Sequence, residues 1–240
     1  LDLCTRAIPP QAFEVIYSDT GYELPTSLTL YNDIQKHYKE LYPELRFRTA
    51  RNHESVLNYW DKIGTPSDTH RWCCSVMKTA PLYKLLKVDD SDKQAKVLTF
   101  DGVRAEESTK RSTYARSGKG VKHSTVINAS PILHWNTTEI FLYLFKNNLP
   151  INRAYRYGMT RVGCLICPFS SEWNDMIFNK QYHNQLMPFL NRIEKITKKS
   201  GVIDIDKYIG QGNWKRRAGG RGIEFPSYME ILSVKPDMKI

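Results

Sequence analysis

Short apolar segments alternate with amphipathic helical segments along this chain, and this alternation constrains its fold more than any other feature. Residues 13–17 and 96–100 have the apolar runs of buried strands, and a further short strand is predicted near residues 46–50. Pro25 opens a helical segment with its apolar residues on one face, and a second helix is predicted over residues 78–86. The pattern predicts an α/β fold with helices on both faces of a mostly parallel sheet.

Polar turns follow two of the predicted strands. Asp19, Thr20 and Gly21 come after the first strand, and Gly102 follows the strand at residues 96–100. Ligands of such sheets bind beyond the carboxyl ends of the strands, so both turns are expected at a binding edge. The first turn alone is a weak signal, because Asp and Thr in this position often cap the next helix.

Two arginines lie within a short segment after Gly102, a residue that lets the backbone turn close to a ligand. Arg104 and Arg111 can each form a forked contact with phosphate or sulfate oxygens. Glu107 lies between them and can hold one arginine in place. The same spacing also suits a solvated charged loop that binds no ligand. The segment is therefore either an anion site or an exposed surface loop.

The charge balance favours an anionic partner. The chain of 240 residues has 35 Lys and Arg against 25 Asp and Glu, a formal net charge of +10. Apolar residues make up 41%, enough for a folded core, and no apolar run approaches the roughly 20 residues of a membrane span. Residues 110–122 are predicted to form a mobile basic loop, and residues 214–221 form a basic tail. Either stretch can contact nucleic acid, although such runs are more often solvated surface.

The five cysteines form two tight pairs and one single residue. Cys73 and Cys74 are adjacent, Cys164 and Cys167 are separated by two residues, and Cys4 stands alone. An odd number of cysteines, two of them adjacent, favours a reducing, cytoplasmic compartment over a disulfide framework. The four paired thiols can bind a [4Fe–4S] cluster or Zn²⁺, and a cubane accepts adjacent cysteines on separate irons more readily than tetrahedral zinc does. Plain buried thiols are the remaining alternative, and Cys4 is interpreted as a core residue.

Two helices are predicted in the second half of the chain. Asn136 and Glu139 have the spacing of a capping box for a helix over residues 137–147, whose almost uniformly apolar interior predicts burial. A longer amphipathic stretch runs from about residue 172 to residue 199 and is interrupted by Pro188. A change of composition near residue 171 predicts a domain of residues 1–170 followed by a helical, basic extension of residues 171–240.

The order of the motifs resembles the phosphoadenosine phosphosulfate (PAPS) reductase family of adenine nucleotide alpha-hydrolase-like proteins. The matching segments are residues 17–25, 72–82, 102–111, 131–135, 149–152 and 163–168. Adjacent cysteines followed about ninety residues later by a C-x-x-C pair resemble the ligands of the family's iron–sulfur branch, which includes the adenosine 5′-phosphosulfate (APS) reductases. The resemblance implies a [4Fe–4S] cluster on Cys73, Cys74, Cys164 and Cys167, with the charge of Lys78 near it.

The resemblance also implies an adenine nucleotide or sulfonucleotide as the ligand. The implied nucleotide-binding residues are Asp19, Thr20, Gly21, Gly102, Arg104, Glu107 and Arg111. The implied activity is that of an oxidoreductase, in which APS or PAPS is reduced with electrons from a thioredoxin-like donor.

Two features of the family pattern are absent from the sequence. The phosphate loop expected just before the helix that opens the chain is not present, which suggests that an N-terminal segment is missing. No cysteine follows Cys167 to act as the family's nucleophile, so no catalytic residue is assigned. Two other hypotheses stay open: an ATP-dependent enzyme that transfers sulfur to DNA, and a non-catalytic nucleic-acid-binding module with a structural four-cysteine metal site.

Overall fold

The computed structural model of the protein describes residues 1–68, 70–86, 97–119 and 125–215. The chain divides into two compact units, one made of Leu1–Pro81 with the chain from Asn152 onward, the other of Leu82–Ile151. The described α-helices are α1 (Asp2–Ala7), α2 (Pro25–Leu41), α3 (Val56–Ile63), α4 (Ala80–Leu86), α5 (Thr109–Ser112), α6 (Thr137–Lys146), α7 (Glu172–Lys199) and α8 (Ile205–Gly210). The described strands are β1 (Glu14–Asp19), β2 (Arg46–Arg51), β3 (Val97–Phe100), β4 (Ser117–Lys119) and β5 (Val126–Ala129).

The first unit contains a parallel strand pair. β1 and β2 pair over their full length, with Tyr17 opposite Thr49, and α2 lies between them in the sequence. The strands predicted near residues 13–17 and 46–50 and the helix that opens at Pro25 are confirmed. Pro25 occupies the first helical turn, where backbone N–H groups make no hydrogen bond within the helix, so a proline costs no such bond there.

An apolar core holds the first unit together. Trp60 of α3 is completely buried, and its ring lies 5.2 Å from the ring of Phe189 in α7. The same core includes Cys73 and the two residues between the second cysteine pair, Leu165 and Ile166. The long C-terminal helix therefore packs within the first unit, whereas the domain boundary after residue 170 stays a prediction.

The second unit has a three-stranded sheet in the order β3–β5–β4. β3 and β5 are parallel, and β4 pairs with β5 in the antiparallel direction. Parallel pairing thus dominates among the described strands, and the predicted α/β fold is confirmed. These strands form two sheets where the sequence predicts one, because strand alternation alone does not specify which strands are neighbours.

The sequence predicts a loop over residues 110–122, but the described part of this stretch contains regular structure. Ser108 caps α5 by accepting a hydrogen bond from the Arg111 backbone N–H at 3.2 Å. Farther on, β4 pairs with β5, with Ser117 opposite Ala129. Backbone hydrogen bonds supply this order, and they do not require apolar side chains, which are few in this stretch. Residues 120–124 lie outside the described residues.

α6 has the predicted cap but not the predicted burial. Asn136 Oδ1 accepts from Glu139 N at 2.9 Å, and Glu139 Oε2 accepts from Asn136 N at 2.7 Å, which confirms the capping box. The prediction of a buried helix is wrong, because Leu142 and Phe145 are 62% and 65% exposed. An apolar helix is buried all round only when neighbours cover every face, and the local sequence does not specify those neighbours.

α7 covers the predicted residues but breaks at a different place. Its backbone departs from helical geometry at Tyr182 (φ −133°, ψ 30°) rather than at Pro188. Tyr182 is buried, and its hydroxyl lies 3.4 Å from Thr26 Oγ1, so the break coincides with a tertiary contact. α7 is also not a membrane span, since no helix in the described ranges is both long and apolar enough to cross a bilayer.

Candidate functional site

The first cysteine pair lies in a widened helical turn. The helical backbone begins before Cys73 and continues as a π-helix over Cys74–Thr79, ahead of the predicted start at Lys78. The Thr79 hydroxyl donates to the carbonyl of Cys74 at 3.1 Å and helps to satisfy this turn. π turns are rare and are frequent at functional sites. The turn places Cys73 in the core and leaves Cys74 half-buried.

The second cysteine pair lies in the loop ahead of α7. Cys164 forms an isolated antiparallel bridge with Glu23, and the backbone N–H of Leu165 donates to the carbonyl of Tyr22 at 2.9 Å. Two buried residues separate Cys164 from Cys167. Backbone contacts therefore fix this loop against the segment that follows β1.

The turn after β1 places Asp19, Thr20 and Gly21 beside the second cysteine pair. Gly21 has a φ of +79°, which glycine adopts without strain, and its N–H donates to Asp19 Oδ1 at 2.8 Å. Thr20 Oγ1 donates to Glu23 Oε1 at 2.7 Å and lies 3.9 Å from Cys164 Sγ. The structure thus brings together one predicted ligand-binding turn and one predicted pair of metal ligands at the carboxyl end of β1.

The surroundings of the cysteines favour the protonated thiols over the thiolates unless a positive charge is present nearby. Burial, followed by the negative charges of Glu23 and Cys167, raises the pKa of the Cys164 thiol to about 12. A hydrogen bond with Cys74, followed by burial, raises the pKa of Cys73. Burial also raises the pKa of Cys167. Ionised thiols here need a compensating cation, which a bound metal centre supplies.

The two cysteine pairs lie close enough to interact electrostatically, and we call Cys73, Cys74, Cys164 and Cys167 the four-thiol site. Cys73 hydrogen-bonds with Cys74 and interacts electrostatically with Cys164, while Cys74 in turn acts on Cys167. In the arrangement described for residues 1–68, 70–86, 97–119 and 125–215, no group of three or more His, Cys, Asp or Glu side chains could hold a metal ion. A cubane binds each cysteine through a separate iron, so four thiols need not converge on one point. The buried Tyr17 hydroxyl, which has no hydrogen-bond partner among the described atoms, adds a donor near Cys164.

Cationic side chains lie beside the four-thiol site. The positive charge of Lys78 opposes the burial that raises the pKa of Cys164. The guanidinium of Arg71 donates to Cys74 Sγ at 3.6 Å and lies 4.2 Å from the ring centre of Phe169. Lys78 therefore acts electrostatically on Cys164, and its place beside a cluster stays a prediction. Arg71 links the two cysteine-bearing segments.

Glu23, Arg71 and Tyr17 escape prediction from the sequence. Glu23 lies within the family-matching segment 17–25, and Arg71 directly precedes the segment 72–82, but neither was assigned a role from the sequence. Tyr17 sits in an apolar strand, where an aromatic residue is most simply explained by packing. The available signals were the matching segment 17–25 and proximity in sequence, and neither shows that these side chains meet the thiols in space.

The predicted anion-binding residues of the second unit are Gly102, Arg104, Glu107 and Arg111. Arg104 Nη1 donates to Glu106 Oε1 at 2.5 Å and to Thr137 Oγ1 at 3.1 Å. Glu107 Oε2 accepts from the Arg104 backbone N–H at 3.1 Å and also pairs with Arg111. A Cβ added at Gly102 would meet only Ile132 Cδ1, at 3.8 Å, so packing does not require glycine there. Both arginines have carboxylate partners within this unit, and their binding of an anion stays a prediction.

The prediction of a solvated or nucleic-acid-binding tail is wrong for Lys215. This lysine is only 3% exposed and forms an ion pair with Asp175. A run of basic residues does not show that one of them has a carboxylate partner far away in the sequence. Residues 216–221 of the tail lie outside the described residues.

The fold and the site together define a class of protein. A parallel α/β unit carries a polar turn at the carboxyl end of β1, and that turn is bonded to a loop of the four-thiol site. The sequence profile of the phosphoadenosine phosphosulfate reductase domain matches residues 1–170. The chain belongs to this family, as the order of its motifs indicates.

Individual relatives cover the chain to different extents. An uncharacterised protein of Methanocaldococcus jannaschii is 33% identical over 158 residues, which are 65% of this chain and 30% of that protein. The adenosine 5′-phosphosulfate reductase of Geobacillus thermodenitrificans is 28% identical over 171 residues, which are 70% of this chain and 66% of the enzyme. The crystal structure of the PAPS reductase of Candida auris in a phosphate complex matches with 20% identity and a TM-score of 0.48, over 68% of this chain and 73% of that one. The chain spans less than two thirds of the length of both curated relatives.

Proposed function

We propose that this chain is an iron–sulfur enzyme that binds an adenine nucleotide for sulfonucleotide reduction or a related sulfur transfer. One observation carries the proposal: the loop of Cys164 and Cys167 is bonded to the turn at the carboxyl end of β1, next to the first cysteine pair. Residues of the metal-ligand type and residues of a ligand-binding turn thereby share one site. Membership of the PAPS reductase family supports the class of reaction.

The four-thiol site would hold a [4Fe–4S] cluster. Thiolates are soft ligands that suit iron–sulfur clusters and zinc, and an adjacent pair of cysteines suits the larger cubane. Lys78 and Arg71 would balance the negative charge of the thiolates, and the Tyr17 hydroxyl would donate a hydrogen bond beside Cys164. The cluster would supply electrostatic tuning of the neighbouring ligand site. Reduced thiols of this kind would suit a cytoplasmic location.

The adenine nucleotide would bind at the carboxyl ends of strands. Within the first unit, the turn after β1 offers hydroxyl, carboxylate and backbone N–H groups to a nucleotide. Within the second unit, considered by itself, Arg104 and Arg111 offer positive charge for phosphate or sulfate oxygens. Because both arginines pair with carboxylates in the described structure, an anionic ligand would have to compete with those partners. The affinity of the arginines for an anion therefore depends on its charge.

The proposed reductive reaction needs a nucleophilic thiol and two electrons. A thiolate attacks the sulfur atom of the sulfonucleotide, the bond from that sulfur to the bridging oxygen breaks, and the adenosine phosphate leaves with the oxygen. A dithiol donor of the thioredoxin type then cleaves the new S–S bond, releases sulfite and becomes a disulfide. The attacking thiol is unassigned, and no cysteine follows Cys167 in this sequence.

Protein purified without oxygen is expected to be brown, to absorb broadly near ~400 nm and to contain about four irons per chain, the number in a cubane bound by four cysteines. Iron and acid-labile sulfide assays, together with visible spectroscopy, measure this result. A colourless anaerobic sample with one zinc per chain would instead support the zinc alternative and refute the cluster.

If the site serves the reductive reaction, sulfonucleotides are expected to bind more tightly than ATP, because they carry the sulfate group on which that reaction acts. Calorimetric titration with APS, PAPS and ATP measures the difference. Preference for ATP would favour the ATP-dependent sulfur transfer. Failure of all three to bind, together with retention of a nucleic acid in a gel-shift assay, would favour the nucleic-acid-binding module.

A further inference from the structure

A buried lysine lies next to the four-thiol site but outside the residues that match the family profile. Lys215 is 3% exposed and ends the helical turn Asn213–Lys215 that follows α8. Its ammonium group pairs with the partly exposed Asp175 and lies 5.2 Å from the ring centre of Trp214. Burial of a charged lysine costs free energy, and an ion pair often recovers only part of it, so Lys215 is not an ordinary surface charge.

The ion pair connects to both cysteine-bearing segments. The carbonyl of Lys215 accepts a hydrogen bond from the backbone N–H of Asp68 at 3.4 Å, and Asp68 lies shortly before Cys73 in the sequence. Asp175 stands in the first turn of α7, which follows Cys167. Lys215 thus links the segment that enters the first cysteine pair with the helix that leaves the second.

The first turn of α7 also holds the loop of the second cysteine pair. The buried Asn174 accepts a hydrogen bond from Thr160 N at 3.3 Å and donates to the carbonyl of Arg161 at 2.9 Å, just ahead of the loop. At the other end of the loop, the backbone N–H of Ser170 donates to the carbonyl of Cys167 at 3.0 Å. A side chain that fixes this turn of α7 therefore restrains both ends of the loop.

We propose that Lys215 is a positioning residue of the four-thiol site. Through Asp175 it holds the α7 end of the loop at residues 164–167, and through its charge it stabilises the negative charge of the thiolates and of a bound cluster. This role rests on the proposed cluster and extends the site beyond residues 1–170.

Lys215→Met is expected to weaken iron retention by about ten- to hundred-fold, the usual effect of removing a group that supports metal ligands. The rate at which a ferrous chelator removes iron without oxygen measures retention. The midpoint potential of the cluster should also become more negative, because the substitution removes a positive charge that stabilises the reduced cluster. Lys215→Arg should recover part of both effects. The partly exposed Asp175 can remain hydrated in Lys215→Met, so the fold should be kept.

Lys198→Met provides the matched control. Lys198 pairs with Glu194 at 2.5 Å on the exposed side of the same helix, so this variant removes a lysine–carboxylate pair away from the four-thiol site. Its iron retention and midpoint potential should equal those of the wild type. If Lys215→Met fails to fold, the double variant Lys215→Met with Asp175→Asn takes its place, because it removes both charges of the pair.

Several results would overturn the positioning role. If Lys215→Met retains iron as the wild type does and has the same midpoint potential, Lys215 does not position the site. The proposed function would not be affected by this result. A lower unfolding temperature with both readouts unchanged, or failure of the single and double variants to fold, would make Lys215 a purely structural residue. A wild-type protein without iron would remove the cluster and, with it, both proposals.

Discussion

Cys74→Ser is expected to abolish the cluster. A serine hydroxyl is a much poorer ligand for iron in a cluster than a thiolate. Cys74 also hydrogen-bonds with Cys73 and receives the contact from Arg71, so its loss disturbs both the ligand set and its surroundings. Iron content should fall from about four per chain to near zero, with loss of the absorption near ~400 nm. Anaerobic iron assays and visible spectra measure the change.

Cys4→Ser is the control for this experiment. Cys4 lies in α1, a helix without fully buried residues, and is itself half-buried, so its interpretation as a core residue is wrong. The same sulfur-to-oxygen exchange at Cys4 should leave the iron content at the wild-type level. Full iron in the Cys74→Ser protein, or equal loss in both variants, would contradict the assignment of Cys74 as a ligand. Unfolding curves of the metal-free proteins check that both variants fold.

Two of the three strands predicted from the sequence have a local apolar signal. β1 and β3 each have an apolar run that ends at a turn, and the run alone reveals the strand. β4 has three exposed residues, Ser117–Lys119, and owes its conformation to pairing with β5, so no local pattern reveals it. The exposure of α6 could not be predicted for the same reason, because burial of a helix face depends on neighbours that are distant in the sequence.

Within the candidate site, too, some residues have a local sequence signal and others are recognised only from the tertiary packing. The four cysteines could be singled out because thiol pairs at short spacing are rare and chemically specific. The partners of these thiols come from separate elements: Tyr17 from β1, Arg71 from the approach to the π-helix, and Lys215 from the turn after α8. Each is an ordinary residue in its own segment. Only the packing of the first unit shows that they surround the same thiols.

Arg104→Ala is expected to weaken nucleotide binding by about ten- to hundred-fold. A charge-assisted contact with an anion is worth roughly 1.5–3 kcal/mol, and about 1.4 kcal/mol corresponds to a factor of ten in affinity. The unfolding temperature should change little, because Arg104 pairs with the exposed Glu106 and such surface pairs contribute about 0–1 kcal/mol. Calorimetric titration with APS, PAPS and ATP measures the loss of affinity, and thermal unfolding measures stability independently.

Two further variants show whether the effect of Arg104→Ala comes from ligand binding. Arg104→Lys should recover only part of the affinity, because lysine keeps the charge but lacks the forked donor pair. Arg192→Ala, which breaks an ion pair with Asp61 in the first unit, should leave nucleotide affinity unchanged. Unchanged affinity of Arg104→Ala for every nucleotide would reduce Arg104 to a surface partner of Glu106. Loss for the sulfonucleotides but not for ATP would mean that Arg104 binds the sulfate end of the ligand, which favours the reductive reaction over the ATP-dependent one.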